Sequence, residues 1–145
     1  MQPFNEPEWI KLVLLLADTQ LWLDDMVKDA LMQLNSEGRN FRDFRRIYSL
    51  SVTALAHIIE RHYYKIPRHP GTGKFHIPLT EVLYYIREAA ALPAMPVKGS
   101  LNLQRIINCE QIIGYDKKGL PVQTITIITD AGGRIVTAFP GVITV

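Results

Sequence analysis

A chain of 145 residues, 48% hydrophobic and 21% charged, carries enough apolar side chain for one packed core, which excludes an intrinsically disordered polypeptide. The single cysteine, Cys109, excludes an internal disulfide and an all-thiolate zinc site, and suits action in a reducing cytoplasm. The net charge of +2 is unevenly spread: residues 1–35 hold two basic and six acidic groups, whereas residues 36–145 hold fourteen basic and eight acidic.

The longest apolar run, Leu12 to Ala17, falls far short of the roughly 20 residues a membrane span needs, so no membrane-spanning segment is expected. The first residues are acidic rather than basic and no small-residue cleavage site follows, so export would depend on another segment or machine. Pro7 and the apolar periodicity from Trp9 to Leu34 predict one long helix or two short ones, stopped by Asn35-Ser36-Glu37-Gly38. Trp9 and Trp22 read as helix core, with docking to a protein partner as the other reading. Phe41 to Tyr48 predicts a short helix carrying Arg42, Arg45 and Arg46. Ser49 or Ser51 can cap a further helix to about Tyr64, whose apolar positions Val52, Leu55, Ile58 and Ile59 follow helical spacing. Pro67, Pro70, Gly71 and Gly73 impose a loop. Thr80 opens the next helix, with Val82, Leu83 and Ile86 inward and an end near Leu92-Pro93; a proline-rich connector to Gly99 follows.

Beyond that connector the period changes from about 3.6 to 2. Glu110 to Tyr115, Val122 to Thr129 and Arg134 to Phe139 predict strands, joined by turns at Asp116-Lys117-Lys118-Gly119 and Asp130-Ala131-Gly132-Gly133. The expected class is α+β: N-terminal helices, then a C-terminal antiparallel β-meander of at least three strands packed on them.

The chemistry-bearing residues cluster between Arg39 and His76, where eight Lys and Arg face only Asp43 and Glu60 and where all four histidines lie. A solvated basic face and a phosphate-binding surface both fit this pattern; the coincidence with every histidine favours the second. The densest run is His57-Ile58-Ile59-Glu60-Arg61-His62, followed by Arg68, His69, Lys74 and His76. Cleaving RNA without a metal needs a base for the 2′-hydroxyl, an acid for the leaving 5′-oxygen, and donors for the phosphoryl oxygens. Two histidines suit the first two tasks because their ordinary pKa lies near 6.5. His57 and His62 are five apart, however, and share a site only if the helix ends or distorts around Arg61-His62. Each histidine also has a structural explanation. His57 can be a core histidine bonded to a carbonyl, His62 a cation at a helix C-terminus, and His69 and His76 solvated loop residues.

Thr137 lies in Arg134-Ile135-Val136-Thr137-Ala138-Phe139-Pro140, and strict alternation sets it on one face with Ile135 and Phe139. It is either a β-branched residue suited to the pleat or a hydroxyl donor to a scissile phosphate, with Phe139 stacking on a base. No carboxylate or thiolate completes a metal-ligand spacing around the histidines, so neither a metal nor another cofactor is expected.

These motifs, in this order, resemble the toxin domains at the C-termini of bacterial polymorphic and contact-dependent growth inhibition toxins, in particular the EndoU-like group of the barnase–EndoU–colicin–RelE superfamily. The resemblance rests on the H-I-x-x-R-H run at 57–62, the Lys74-Phe75 step, the helix from Glu81 to Ala91, and Gly133 to Pro140 as G-x-[IV]-[IV]-T-x-[FY]-P. It covers roughly residues 52–141. It implies an endoribonuclease cutting cellular RNA, for example transfer RNA, without metal through a 2′,3′-cyclic phosphate. His57 and His62 would be the acid–base pair, Thr137 the phosphate donor, and Arg61, Lys74 and Phe139 the substrate-binding residues. The chain departs from the family in lacking the Gly-Gly-His pattern of other EndoU enzymes and in having His76-Ile77 between Phe75 and Pro78. It further implies export by the producer within a larger effector or by a secretion machine, action in the target-cell cytoplasm, and a cognate immunity protein. Residues 1–50 are then a helical uptake or docking segment and 51–145 the ribonuclease domain. The alternative is a non-catalytic RNA- or protein-binding module of a toxin system, which keeps the basic surface and tolerates loss of the histidines.

Overall fold

The computed structural model of the chain describes residues 8, 11–12, 14–16, 18–25, 48–66 and 69–143. The stop expected at Asn35-Ser36-Glu37-Gly38, and all of the expected helix from Phe41 except Tyr48, lie outside these residues. Residues 18–25 are helical, as the periodicity predicts.

Helix α1, Val52–His62, begins where the Ser51 hydroxyl accepts the Ala54 N–H at 3.1 Å. Leu55, Ile58 and His62 form its buried stripe. Tyr63 caps it, and the extended backbone that follows docks Tyr64 N–H on the Phe75 carbonyl at 3.1 Å. Helix α2, Leu79–Glu88, buries Leu79, Val82, Leu83 and Ile86 and tightens into a 3-10 turn at Ala89–Ala91. Pro93 ends it: the residue before a proline is driven to extended backbone, and Leu92 has ψ 151°.

Among the described residues, seven strands form two antiparallel sheets. The smaller joins β1 (Lys74–Phe75), β4 (Gly114–Tyr115) and β5 (Pro121–Val122) in the order β1-β4-β5. The larger joins β2 (Met95–Pro96), β3 (Leu103–Asn108), β6 (Thr124–Thr129) and β7 (Ile135–Pro140) in the order β2-β3-β6-β7. The class is therefore α+β, with an antiparallel sheet packed on helices. The strand bounds differ from expectation. Of the stretch from Glu110 to Tyr115 only Gly114–Tyr115 is strand, and it belongs to the small sheet. Leu103–Asn108, which the sequence pattern did not mark, is the full-length neighbour of β6.

The core gathers Leu55 and Ile58 of α1, Val82 and Ile86 of α2, Phe75, Ile113, and Ile125, Ile127 and Ala138 of the large sheet. Leu23, Tyr48 and Leu50 join it, so residues ahead of α1 contribute to the same core. Tyr48 is tied in twice: its hydroxyl donates to the Ile86 carbonyl, and the Arg105 guanidinium lies 4.8 Å from its ring centre. In β6 every residue from Ile125 to Thr129 is buried, so both faces of this central strand are covered. On the face away from the core, the Thr126 hydroxyl donates to the Gly141 carbonyl at 2.6 Å, where the chain folds back after β7.

A bulge alters the alternation expected along β7. Thr137 pairs with Ile128, but Ile135 pairs with Thr129, leaving Val136 without an opposite residue. Ile135 thereby turns into the core with Ala138, while Thr137 shares the opposite face with Phe139. The expectation that Thr137 and Ile135 share a face is corrected, because one inserted residue inverts a period of two.

Candidate active-site cleft

A cleft of about 450 Å³ opens beyond the C-terminal end of α1. Three chain segments far apart in sequence form its walls: the Gly71–Gly73 loop, the turn at Asp116–Lys118, and Phe139 to Ile143 at the end of β7. The turn holds its shape because one Asp116 carboxylate oxygen accepts the N–H groups of Lys118 at 2.9 Å and Leu120 at 3.0 Å, and Gly119 supplies a φ of +80°. Gly73 has no room for a side chain. A Cβ there would meet the Tyr115 carbonyl at 3.0 Å and the Pro140 ring at 3.2 Å, so the two walls close on bare backbone.

His62 is the titratable ring in this cleft. It is 9% exposed, and Nδ1 lies 2.9 Å from the Gly73 carbonyl oxygen. A carbonyl can only accept, so Nδ1 carries the proton and Nε2 bears the lone pair in the neutral ring. Burial holds the imidazole below its usual pKa; the Gly73 carbonyl partly opposes this, and the charges of Lys74, His57 and Arg61 reinforce it. At neutral pH the ring is therefore an uncharged base. Its centre lies 6.1 Å from that of Phe139, which also lines the cleft.

The remaining expected site residues divide. His57 is exposed on α1 and does not line the cleft. A regular helix advances about 100° per residue, which turns positions 57 and 62 roughly 140° apart, and α1 stays helical through His62. The core histidine bonded to a carbonyl is thus His62, not His57. Lys74 also stays outside the lining: its ammonium donates to the carbonyls of Arg61 at 2.6 Å and Ile66 at 3.4 Å. It thereby satisfies the last turn of α1 and anchors the element that delivers His62. The exposed Arg61 is not a lining residue either.

Thr137 is half-buried, and its hydroxyl oxygen is enclosed without a hydrogen-bond partner. Burying an unpaired hydroxyl is costly, so Thr137→Val is expected to raise stability by about 1 kcal/mol, read in a denaturant melt.

Sequence reasoning missed Lys117 and Lys118 as site residues. Asp116-Lys117-Lys118-Gly119 was legible only as a turn, although two adjacent lysines at a turn are also an ammonium pair held by a fixed backbone. His69 faces Glu60, with Nε2 3.7 Å from its carboxylate. His76 lies instead in a row of rings with Tyr64 and Tyr115. Burial pushes the Cys109 thiol up to about 11, which disfavours the thiolate a nucleophile requires. Among the described residues no group of three or more His, Cys, Asp or Glu is gathered as a metal site would need, and no helix is long and apolar enough to cross a membrane.

No family model, curated protein or solved structure matches the chain.

The His62 geometry has a consequence for stability. Its folded pKa is depressed, so below the unfolded value the unfolded chain binds the proton more readily. The stabilisation is complete above about pH 6.5 and is lost as pH falls through the lower folded value. Melting temperatures between pH 8 and pH 5 should therefore fall more steeply for the wild type than for His62→Asn.

Proposed function

We propose that this chain is a metal-independent endoribonuclease in which His62 acts as the base. The observation that carries the reading is the buried, neutral imidazole lining a cleft, its Nδ1 proton committed to Gly73, in company with Lys117, Lys118 and Phe139. Nε2 would take the proton from a ribose 2′-hydroxyl, whose oxygen then attacks the adjacent phosphorus. The bond to the 5′-oxygen breaks, leaving a 2′,3′-cyclic phosphate, and the departing oxygen takes its proton from an ammonium of the Lys117–Lys118 pair. The same pair offsets charge on the phosphoryl oxygens, and Phe139 offers a ring to the base. Fixing one ring nitrogen with a carbonyl keeps the other in a single tautomer and orientation, which is what a positioned base requires.

The resemblance extends this reading to an antibacterial toxin, exported by its producer, acting in the target-cell cytoplasm and restrained at home by an immunity protein. Positive charge around the cleft favours an acidic inhibitor. Residues 1–50 would then serve uptake or docking, with catalysis in 51–145.

The competing reading is a non-catalytic RNA-binding module. Two observations favour it: His57 lies outside the cleft, and the Thr137 hydroxyl is enclosed. Incubating the protein with total RNA in excess EDTA separates the two. The nuclease reading expects cyclic-phosphate ends, retained in His57→Ala and lost in His62→Asn. RNA that is bound but uncut by the wild type would establish the binding module. Expression gives a second readout, since an active toxin arrests its host unless His62 is replaced or the inhibitor is supplied.

A further inference from the structure

Outside the cleft, three ring-bearing segments converge on the surface. The Tyr64 and His76 rings are stacked, with centres 4.8 Å apart and planes at 24°. His76 then meets Tyr115 edge-on at 5.0 Å and 84°. Backbone hydrogen bonds fix this ladder: Tyr64 N–H donates to the Phe75 carbonyl at 3.1 Å, and His76 N–H to the Ile113 carbonyl at 2.9 Å. Yet Tyr64 and Tyr115 remain 41% and 40% exposed, an arrangement that holds apolar ring surface in water.

Each rung continues from the cleft along the chain. Tyr64 is two residues beyond His62, Tyr115 immediately precedes Asp116, and His76 is three residues beyond Gly73. Neighbouring strand residues rise by about 3.3 Å, so Tyr115 stands one residue step along the chain from the cleft-lining Asp116. Its charge points to an anionic occupant. The Lys65 ammonium lies 5.7 Å from the Tyr64 ring centre, and Lys117 and Lys118 follow Tyr115 by two and three residues. The nearby acids are engaged: Asp116 holds its turn amides, and Glu60 faces His69.

We propose that the Tyr64–His76–Tyr115 ladder is a stacking subsite for single-stranded RNA, holding bases next to the nucleotide that enters the His62 cleft. The inference rests on the nuclease reading for its direction, but not for its test. Unpaired bases stack on aromatic rings without regard to sequence, whereas a duplex keeps its bases stacked on one another. Lysines beside the rings supply the phosphate contacts.

The experiment measures binding of the full chain to a fluorescent single-stranded 2′-O-methyl RNA, which lacks the attacking hydroxyl and cannot be cut. Tyr64→Ala combined with Tyr115→Ala should weaken that affinity by on the order of tenfold or more. The matching Phe pair should retain it, because the ring rather than the hydroxyl does the stacking. Tyr84→Ala, which removes an exposed tyrosine of α2 outside the ladder, should leave affinity unchanged, as should the double Ala variant toward a duplex of the same length. An unchanged single-strand affinity in the double Ala variant would overturn the subsite, as would equal losses on single strand and duplex. Cleavage can fail in the wild type while this binding pattern holds, so the two proposals fall separately.

Discussion

His62→Asn is expected to lower RNA cleavage by a factor of about 10² to 10⁴, the range a positioned acid–base group contributes. Asparagine suits the test because its amide nitrogen can occupy the place of Nδ1 and still donate to the Gly73 carbonyl, while nothing replaces Nε2. The variant should therefore fold, with its circular dichroism unchanged. His62→Ala should lose the same activity and, in addition, about 1–3 kcal/mol of stability, because the enclosed Gly73 carbonyl is left without its donor. Activity that survives in a folded His62→Asn protein would remove the proposed base. Equal stability of the Asn and Ala variants would remove the argument that the hydrogen bond orients the ring.

Gly114→Ala is the substitution expected to damage the fold most. A Cβ at this position would stand 2.2 Å from the Lys74 carbonyl oxygen and 3.0 Å from the Phe75 Cα, both backbone atoms of β1. No rotamer change relieves a clash with backbone, so β1 and β4 must part. Overpacking of this kind costs about 3 kcal/mol or more, which is on the order of 10 °C in Tm for a chain of this size. The consequence reaches the site, since Gly73 precedes β1 and Asp116 follows β4, and both line the cleft. RNA binding should fall with stability. Gly71→Ala is the control: nothing lies within 4 Å of its Cβ, so stability should be unchanged or slightly raised.

Much of the secondary structure was legible because its causes are local. Ser51 and the spacing of Leu55 and Ile58 mark α1. Val82, Leu83 and Ile86, followed by Pro93, mark α2 and its end. The β-branched runs at 124–129 and 135–137, between turns with Asp and Gly, mark β6 and β7. The strand β3 escaped because Leu-Gln-Arg-Ile-Ile-Asn does not alternate cleanly; its extended form comes from six consecutive pairings with β6. In the small sheet β1 escaped for a similar reason: Lys74–Phe75 is extended because it pairs with Gly114–Tyr115, about forty residues further along the chain.

The sequence by itself determined α1, α2, the strands β6 and β7, the α+β class, and a basic segment containing every histidine, since period, capping and composition act over a few residues. It also named His62 and Phe139, but could not say which histidine the fold would select. That choice fell to tertiary packing. The core claims the Leu55–Ile58–His62 face of α1, and a rotation of roughly 140° leaves His57 on the outside. One bulge at Val136 reversed the company Thr137 keeps, and Lys74 was drawn to the carbonyls that end α1. Lys117 and Lys118 reached the cleft because a turn more than forty residues beyond Gly73 folds against it. A site assembled from segments so far apart is fixed by long-range contacts, which no local pattern encodes.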